Sequence, residues 1–224
     1  ALEIGVNVMR EDKALRERGV RSRLAGDAYA QSSSTQASFE SRIDALFNGG
    51  KATTGTRVLD RSDVMALLGY PDVPLMLNER HLLDGLTNHP EMTSAAWKKV
   101  PGWLENPSMV YRDPRDSGRL VVIAPDTLAG YPVMLVVEPK PNPAGSRPAP
   151  AVPTESLLVT VYAKTSGNLP APGFLASSGN LLYVNTKNAP EIARRGGVQF
   201  PKQAVLLQGR QKILTEKNLA GWRK

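Results

Sequence analysis

Between residues 37 and 104 apolar side chains recur at helical spacing, and beyond residue 118 the pattern changes to β-branched runs. Phe39, Ile43, Leu46 and Phe47 stand at i, i+4, i+7 and i+8, on one helix face, and Asn48-Gly49-Gly50 stops that helix. Asp60 or Ser62 can cap a helix carrying Val64, Met65, Leu67 and Leu68, ended by Gly69. An extended piece at Leu75-Met-Leu77 precedes a helix over 79–87, a break at Pro90, and a second helix started by Thr93 and stopped by Pro101-Gly102, with Trp97 and Val100 facing the core. Strands follow at 119–123 and 133–137, joined through Gly130, then at 156–164 and 181–186. Val205-Leu-Leu207 and Lys212-Ile-Leu214 read as edge strands, and Thr215 caps a last helix.

The flanks divide the chain. Residues 1–24 read as a helix dense in both signs of charge, and 25–36, centred on Ser32-Ser-Ser-Thr35, have linker composition. The expected organisation is a charged helix and linker over 1–36, a short amphipathic helix and connection over 37–55, and one domain over 56–224. Within it, residues 139–153 hold six prolines and form an exposed excursion. Helices first and strands afterwards predict an α+β fold: N-terminal helices packed on one face of a C-terminal antiparallel sheet.

Composition removes whole classes of chemistry. Cysteine is absent, which excludes disulfides, thiolate nucleophiles and cysteine-ligated metal centres, and His81 and His89 are too few for a three-histidine metal site. A carboxylate-bound magnesium site stays open but has no motif behind it, and no cofactor is expected. No apolar run approaches the roughly 20 residues that span a bilayer, so the expectation is a soluble protein with no membrane partner. The net charge is +7, and the segment from Lys187 onward carries nine basic residues against Glu191 and Glu216. That bias suits an anionic partner such as RNA or another nucleic acid, or else a merely solvated surface.

Alternation supplies the candidate chemistry. Along 157–164, Leu157, Val159, Val161 and Ala163 make one apolar face, and Thr160, Tyr162 and Lys164 share the other with Leu158. Along 181–187, Tyr183, Asn185 and Lys187 fall together. If the two strands are neighbours, phenols, an amide and two ammonium groups form a surface suited to a phosphodiester; the alternative is an ordinary solvated sheet face. His89, between a helix and Pro90, can take and return a proton near neutrality. His81 reads as a hydrogen-bonded packing residue, and Glu79, Asp84 and Glu91 as solvated carboxylates or auxiliary bases.

The ordered set His89-Pro-Glu-Met-Thr93, Val100-Pro-Gly-Trp-Leu-Glu-Asn-Pro107, Leu120-Val-Val-Ile123, Val161-Tyr-Ala-Lys164 and Gly179-Asn-Leu-Leu-Tyr-Val184 resembles the MuF C-terminal domain of phage head-morphogenesis proteins, mobile-element polyvalent proteins and bacterial polymorphic toxins, over roughly residues 56–215. That domain is similar to the barnase–EndoU–colicin–RelE-like ribonuclease fold. The resemblance implies a metal-independent toxin-like endoribonuclease, delivered within a larger protein and acting in a bacterial cytoplasm, with an immunity protein or a phage head or secretion component as partner. By the resemblance, the catalytic residues are His89, Tyr162, Lys164 and Tyr183. Thr160, Asn185, Lys187, Arg194 and Arg195 are the expected substrate contacts. A different class, a non-catalytic virion or assembly module binding nucleic acid or a coat component, stays open beside it.

Overall fold

The computed structural model describes residues 27–53, 55–116, 118–139, 155–163, 175, 180–195 and 213–223. In chain order these form α1 (Asp27–Phe47), β1 (Thr56–Leu59), α2 (Asp63–Leu67), β2 (Leu75–Leu77), α3 (Glu79–Asn88), α4 (Ser94–Lys98) and α5 (Val100–Glu105). There follow β3 (Met109–Arg112), β4 (Leu120–Leu128), β5 (Tyr131–Glu138), β6 (Ser156–Ala163), β7 (Leu181–Val184), α6 (Ala189–Arg195), β8 (Leu214–Thr215) and α7 (Glu216–Trp222). The charged segment expected as a helix over 1–24, most of the proline-rich excursion, Lys164 and the Val205–Leu207 piece lie outside the described residues.

The eight strands make one sheet in the order β1-β2-β6-β5-β4-β3-β7-β8. It is mixed rather than antiparallel, because β2 runs parallel to β6 and β7 parallel to β8. One face carries the larger core, where Phe39, Leu82, Trp97 and Trp103 from the helices meet Val110, Val122, Leu135 and Val161. The second face holds Met109, Tyr111, Ile123 and Met134 and is packed by Ala189, Ile192 and Ala193 of α6 with Leu175. Helices therefore lie on both faces, not on one. Residues 120–124 of β4 and 132–137 of β5 are buried on both sides, which is why these stretches are unbroken apolar runs.

Three local outcomes differ from the sequence pattern. The Ser/Thr-rich stretch is helical from Asp27. Neither glycine nor proline interrupts 27–47, and burial of Phe39, Ile43 and Leu46 anchors the last turns, so propagation toward the N-terminus meets no breaker. Pro101 opens α5 instead of ending a helix, since a proline in the first turn gives up only an N–H that has no intrahelical partner. Strands β1 and β3 and helix α6 arise where no periodicity marked them; each is seven residues or shorter.

A buried carboxylate joins α1 to the start of α3. Glu79 is fully buried; Arg42 donates to both its oxygens, and Thr53 N–H and the Thr56 hydroxyl donate as well. These contacts, led by the Arg42 hydrogen bonds, hold its carboxyl down at about 2 against the cost of burial.

Candidate functional site

Helix α3 ends at Asn88 because Pro90 has no N–H to continue it. His89 is the C-cap: its N–H donates to Gly85 O at 2.8 Å, its carbonyl accepts from Met92 N at 2.9 Å, and Thr93 then caps α4. The imidazole is thus fixed at a corner between two helices. Beside that corner runs β6, whose pairing with β2 stops at Leu158, so the following residues have no strand on that side among the described residues.

Two contacts seat the imidazole on this edge. Its ring stacks on Tyr162, with centroids 5.2 Å apart and planes 23° from parallel. Its Nδ1 lies 3.4 Å from Glu91 Oε1, and the same oxygen accepts the N–H of Ala163 at 3.2 Å. Glu91 therefore ties the helix corner to β6 and favours the tautomer with the proton on Nδ1, leaving Nε2 as the basic nitrogen. Glu91 is not the solvated carboxylate expected. Its spacing of two residues from His89 was the one signal for it.

Tyr162 lies on the sheet face opposite Val161, as alternation puts it, but Leu158 and Val159 exchange faces. Thr160 pairs with Val136 but Leu158 with Val137, so Val159 is an extra residue in the ladder. That bulge moves Leu158 into the helix-side core with Val161, while Val159 and Tyr162 pack on the second face. The Tyr162 phenol is half-buried, and burial raises its pKa, with Arg115 opposing and Asp113 adding to the rise. It is a neutral hydrogen-bond donor near neutral pH.

Thr160 lines a cavity of about 10 Å³ with His81, His89 and Trp97. His81 also reaches solvent and is exposed rather than packed. Tyr183 belongs elsewhere: it is buried in the helix-side core, on the opposite sheet face from Tyr162, and burial, with Glu216 adding, pushes its hydroxyl up to about 12. Strands β6 and β7 are not neighbours, since β5, β4 and β3 intervene. Asn185 and Lys187 accordingly stand about four strand spacings, roughly 19 Å, from the β6 backbone. Asn185 builds the turn into α6, accepting from Lys187 N–H through Oδ1 and from Ala189 N–H through its carbonyl.

Arg194 and Arg195 both pair with Glu191, and Arg195 Nη1 also donates to Thr127 Oγ1 at 3.3 Å. Thr127 pairs with Pro132, one step beyond the Val133–Ala163 pair. Arg195 thus ends at the same end of the sheet as Tyr162, two strand spacings or roughly 10 Å across. Among the described residues no three His, Asp or Glu side chains gather where a metal ion would sit, and no helix is long and apolar enough to cross a membrane.

Residues 82–191 match the family described as the phage MuF-C-terminal domain. The match runs from within α3 into α6, and so takes in His89, Glu91, Tyr111 and Tyr162 while leaving out α1 and the Arg194–Arg195 pair. No curated protein and no solved structure matches the chain. The MuF-C match covers the corner and the β6 edge together, the two parts whose contact creates the site.

Proposed function

We propose that this is a metal-independent endoribonuclease domain with His89 as its acid–base residue. The observation that carries the reading is the seating of one imidazole between the Glu91 carboxylate and the Tyr162 ring. Nε2 of His89 takes the proton of a ribose 2′-hydroxyl, the 2′-oxygen bonds to phosphorus as the bond to the 5′-oxygen breaks, that oxygen takes a proton from water, and the hydroxide so formed takes the proton back from His89. The products are a 2′,3′-cyclic phosphate and a 5′-hydroxyl. The neutral Tyr162 phenol donates to a phosphoryl oxygen; Lys164, two residues on in sequence, and Arg195 supply positive charge to it. Thr160 is retained as a positioning group. In this proposal Tyr183, Asn185 and Lys187 take no part in the step. A fold of the barnase–EndoU–colicin–RelE kind and delivery as a toxin belong to the same proposal.

Incubating the purified chain with RNA in chelator tests it. Cleavage should persist without metal, fall as salt rises, and drop by about a hundredfold or more in His89→Ala. Full cleavage by His89→Ala overturns the assignment. The phage family match favours a second reading, a virion module that holds nucleic acid or a coat component. RNA binding with no degradation at large protein excess would select it.

A further inference from the structure

The cavity of about 10 Å³ behind His89 lies among Leu77, Leu82, Met92, Trp97 and Val161. It is too small for any ligand but one water molecule, and a water stays in such a space only where about two to four polar groups bind it. Trp97 supplies the first. It is 3% exposed, and its buried Nε1 donor has no acceptor among the described residues. Most buried donors in native proteins have a partner, from the protein or from water, because an unpaired one costs about 1–3 kcal/mol.

Strand β6 supplies the rest. Along an antiparallel strand, residues alternate between pointing both backbone groups at the partner and pointing both away from it. The Ala163 N–H goes to Glu91, so Ala163 points away from β5, and Val161, two residues back in unbroken register, does the same. On that side β2 has already ended, opposite Leu158. The Val161 N–H and C=O therefore face the α3–α4 corner, where Val161 lines the cavity and is 3% exposed. Backbone groups buried in this way need partners, and among the described residues no strand provides them.

We infer that the cavity binds one water molecule, which accepts from Trp97 Nε1 and the Val161 N–H and donates to the Val161 carbonyl, bracing the open edge of β6 against α4. His89 lines the same cavity. Trp97 is then a positioning residue: it acts through the water on the strand that carries Tyr162 and on the corner that carries His89. The inference rests on the proposed function for its catalytic consequence, but the water site stands on the cavity and the groups around it.

NMR of the full chain, labelled with nitrogen-15 and assigned through bonds, tests this. The Trp97 indole proton and the Val161 amide proton should both show peaks at the water frequency, of opposite sign in NOE and ROE spectra, which marks a held water and not proton exchange. Trp97→Phe keeps a ring at the site and removes the donor. The Val161 peak should then be lost, and kcat for RNA cleavage should fall about fivefold with KM unchanged. Absence of either wild-type peak overturns the water site. A Val161 peak that survives Trp97→Phe shows that Trp97 does not hold the water, and an unchanged kcat removes its positioning role. If Trp97→Phe fails to fold, the two wild-type peaks decide the site alone. If the wild type cleaves no RNA, the proposed reaction fails while those peaks still decide whether the water is there.

Discussion

Glu91 stands between His89 and the backbone of β6: one carboxylate oxygen lies 3.4 Å from the imidazole Nδ1 and accepts the Ala163 N–H at 3.2 Å. A single atom therefore orients the candidate base and fixes the loop to the strand carrying Tyr162. Glu91→Gln keeps an acceptor for Ala163 and removes the charge. If His89 is the base, kcat for RNA cleavage should fall roughly ten- to a hundredfold, the equivalent of about 1.5–3 kcal/mol, with little change in melting temperature. Nitrogen NMR of the imidazole should show the Nδ1-protonated tautomer depleted. An unchanged rate and tautomer would remove Glu91 from the site.

The Glu79 carboxyl should govern acid stability. Its pKa is held down at about 2 in the folded protein, below the ordinary 4.5, so its ionised form is the one the fold stabilises. That contribution is complete above the ordinary carboxylate range and drains away as pH falls from about 4.5 toward 2. Glu79→Gln should destabilise the protein by about 2–3 kcal/mol at pH 7, since Arg42 then loses its partner but keeps access to water. It should also flatten the acid limb of a stability-against-pH curve from urea melts. A variant curve parallel to the wild type would assign the acid loss to other carboxylates.

Much of this arrangement is legible in the sequence. The caps at Ser62 and Thr93, the Pro90 break and the long β4–β5 runs are local signals, and they formed where the residues predicted. Other features are set by contacts distant in sequence. Nothing in Met109-Val-Tyr-Arg112 announces a strand, because a four-residue piece buried on both faces has no alternation to read. The bulge at Val159 is equally silent, yet it decides that Leu158, and not Val159, joins Val161 in the helix-side core. His89 could be singled out as a proton carrier, but its partners could not. Glu91 is one carboxylate among several in the sequence. Tyr183 shows a different limit: a strand pattern shared with Tyr162 says nothing about strand order, and three strands lie between them.

Helix α1 packs into the same core as the helices and strands that follow it. Phe39 and Ile43 are fully buried in the same core as Leu82 and Trp97, and Thr35 donates to Asp60 across to the loop after β1. Phe39→Ala should cost about 3–5 kcal/mol of unfolding free energy in denaturant titration. A change under about 1 kcal/mol would mean that the helix packs loosely and that the domain begins nearer residue 56.

The β4–β5 hairpin carries a correctable strain. Ala129 and Gly130 form its two-residue turn with φ of 50° and 82°, both left-handed, the combination a type I′ turn requires. Glycine meets that requirement freely, and nothing lies within 4 Å of where its Cβ would be. Alanine pays about 1–2 kcal/mol for it, because its Cβ crowds the following carbonyl. Asparagine tolerates the same region through local side-chain hydrogen bonding, so Ala129→Asn should stabilise the protein by about 0.5–1 kcal/mol. Arg195 contacts Thr127 two residues before the turn, so tightening the hairpin should also hold that arginine's anchor more firmly and lower KM for RNA if Arg195 contacts the phosphate. A stability gain with KM unchanged would keep the turn argument and release Arg195 from substrate binding; no gain in stability would show that Ala129 bears no strain.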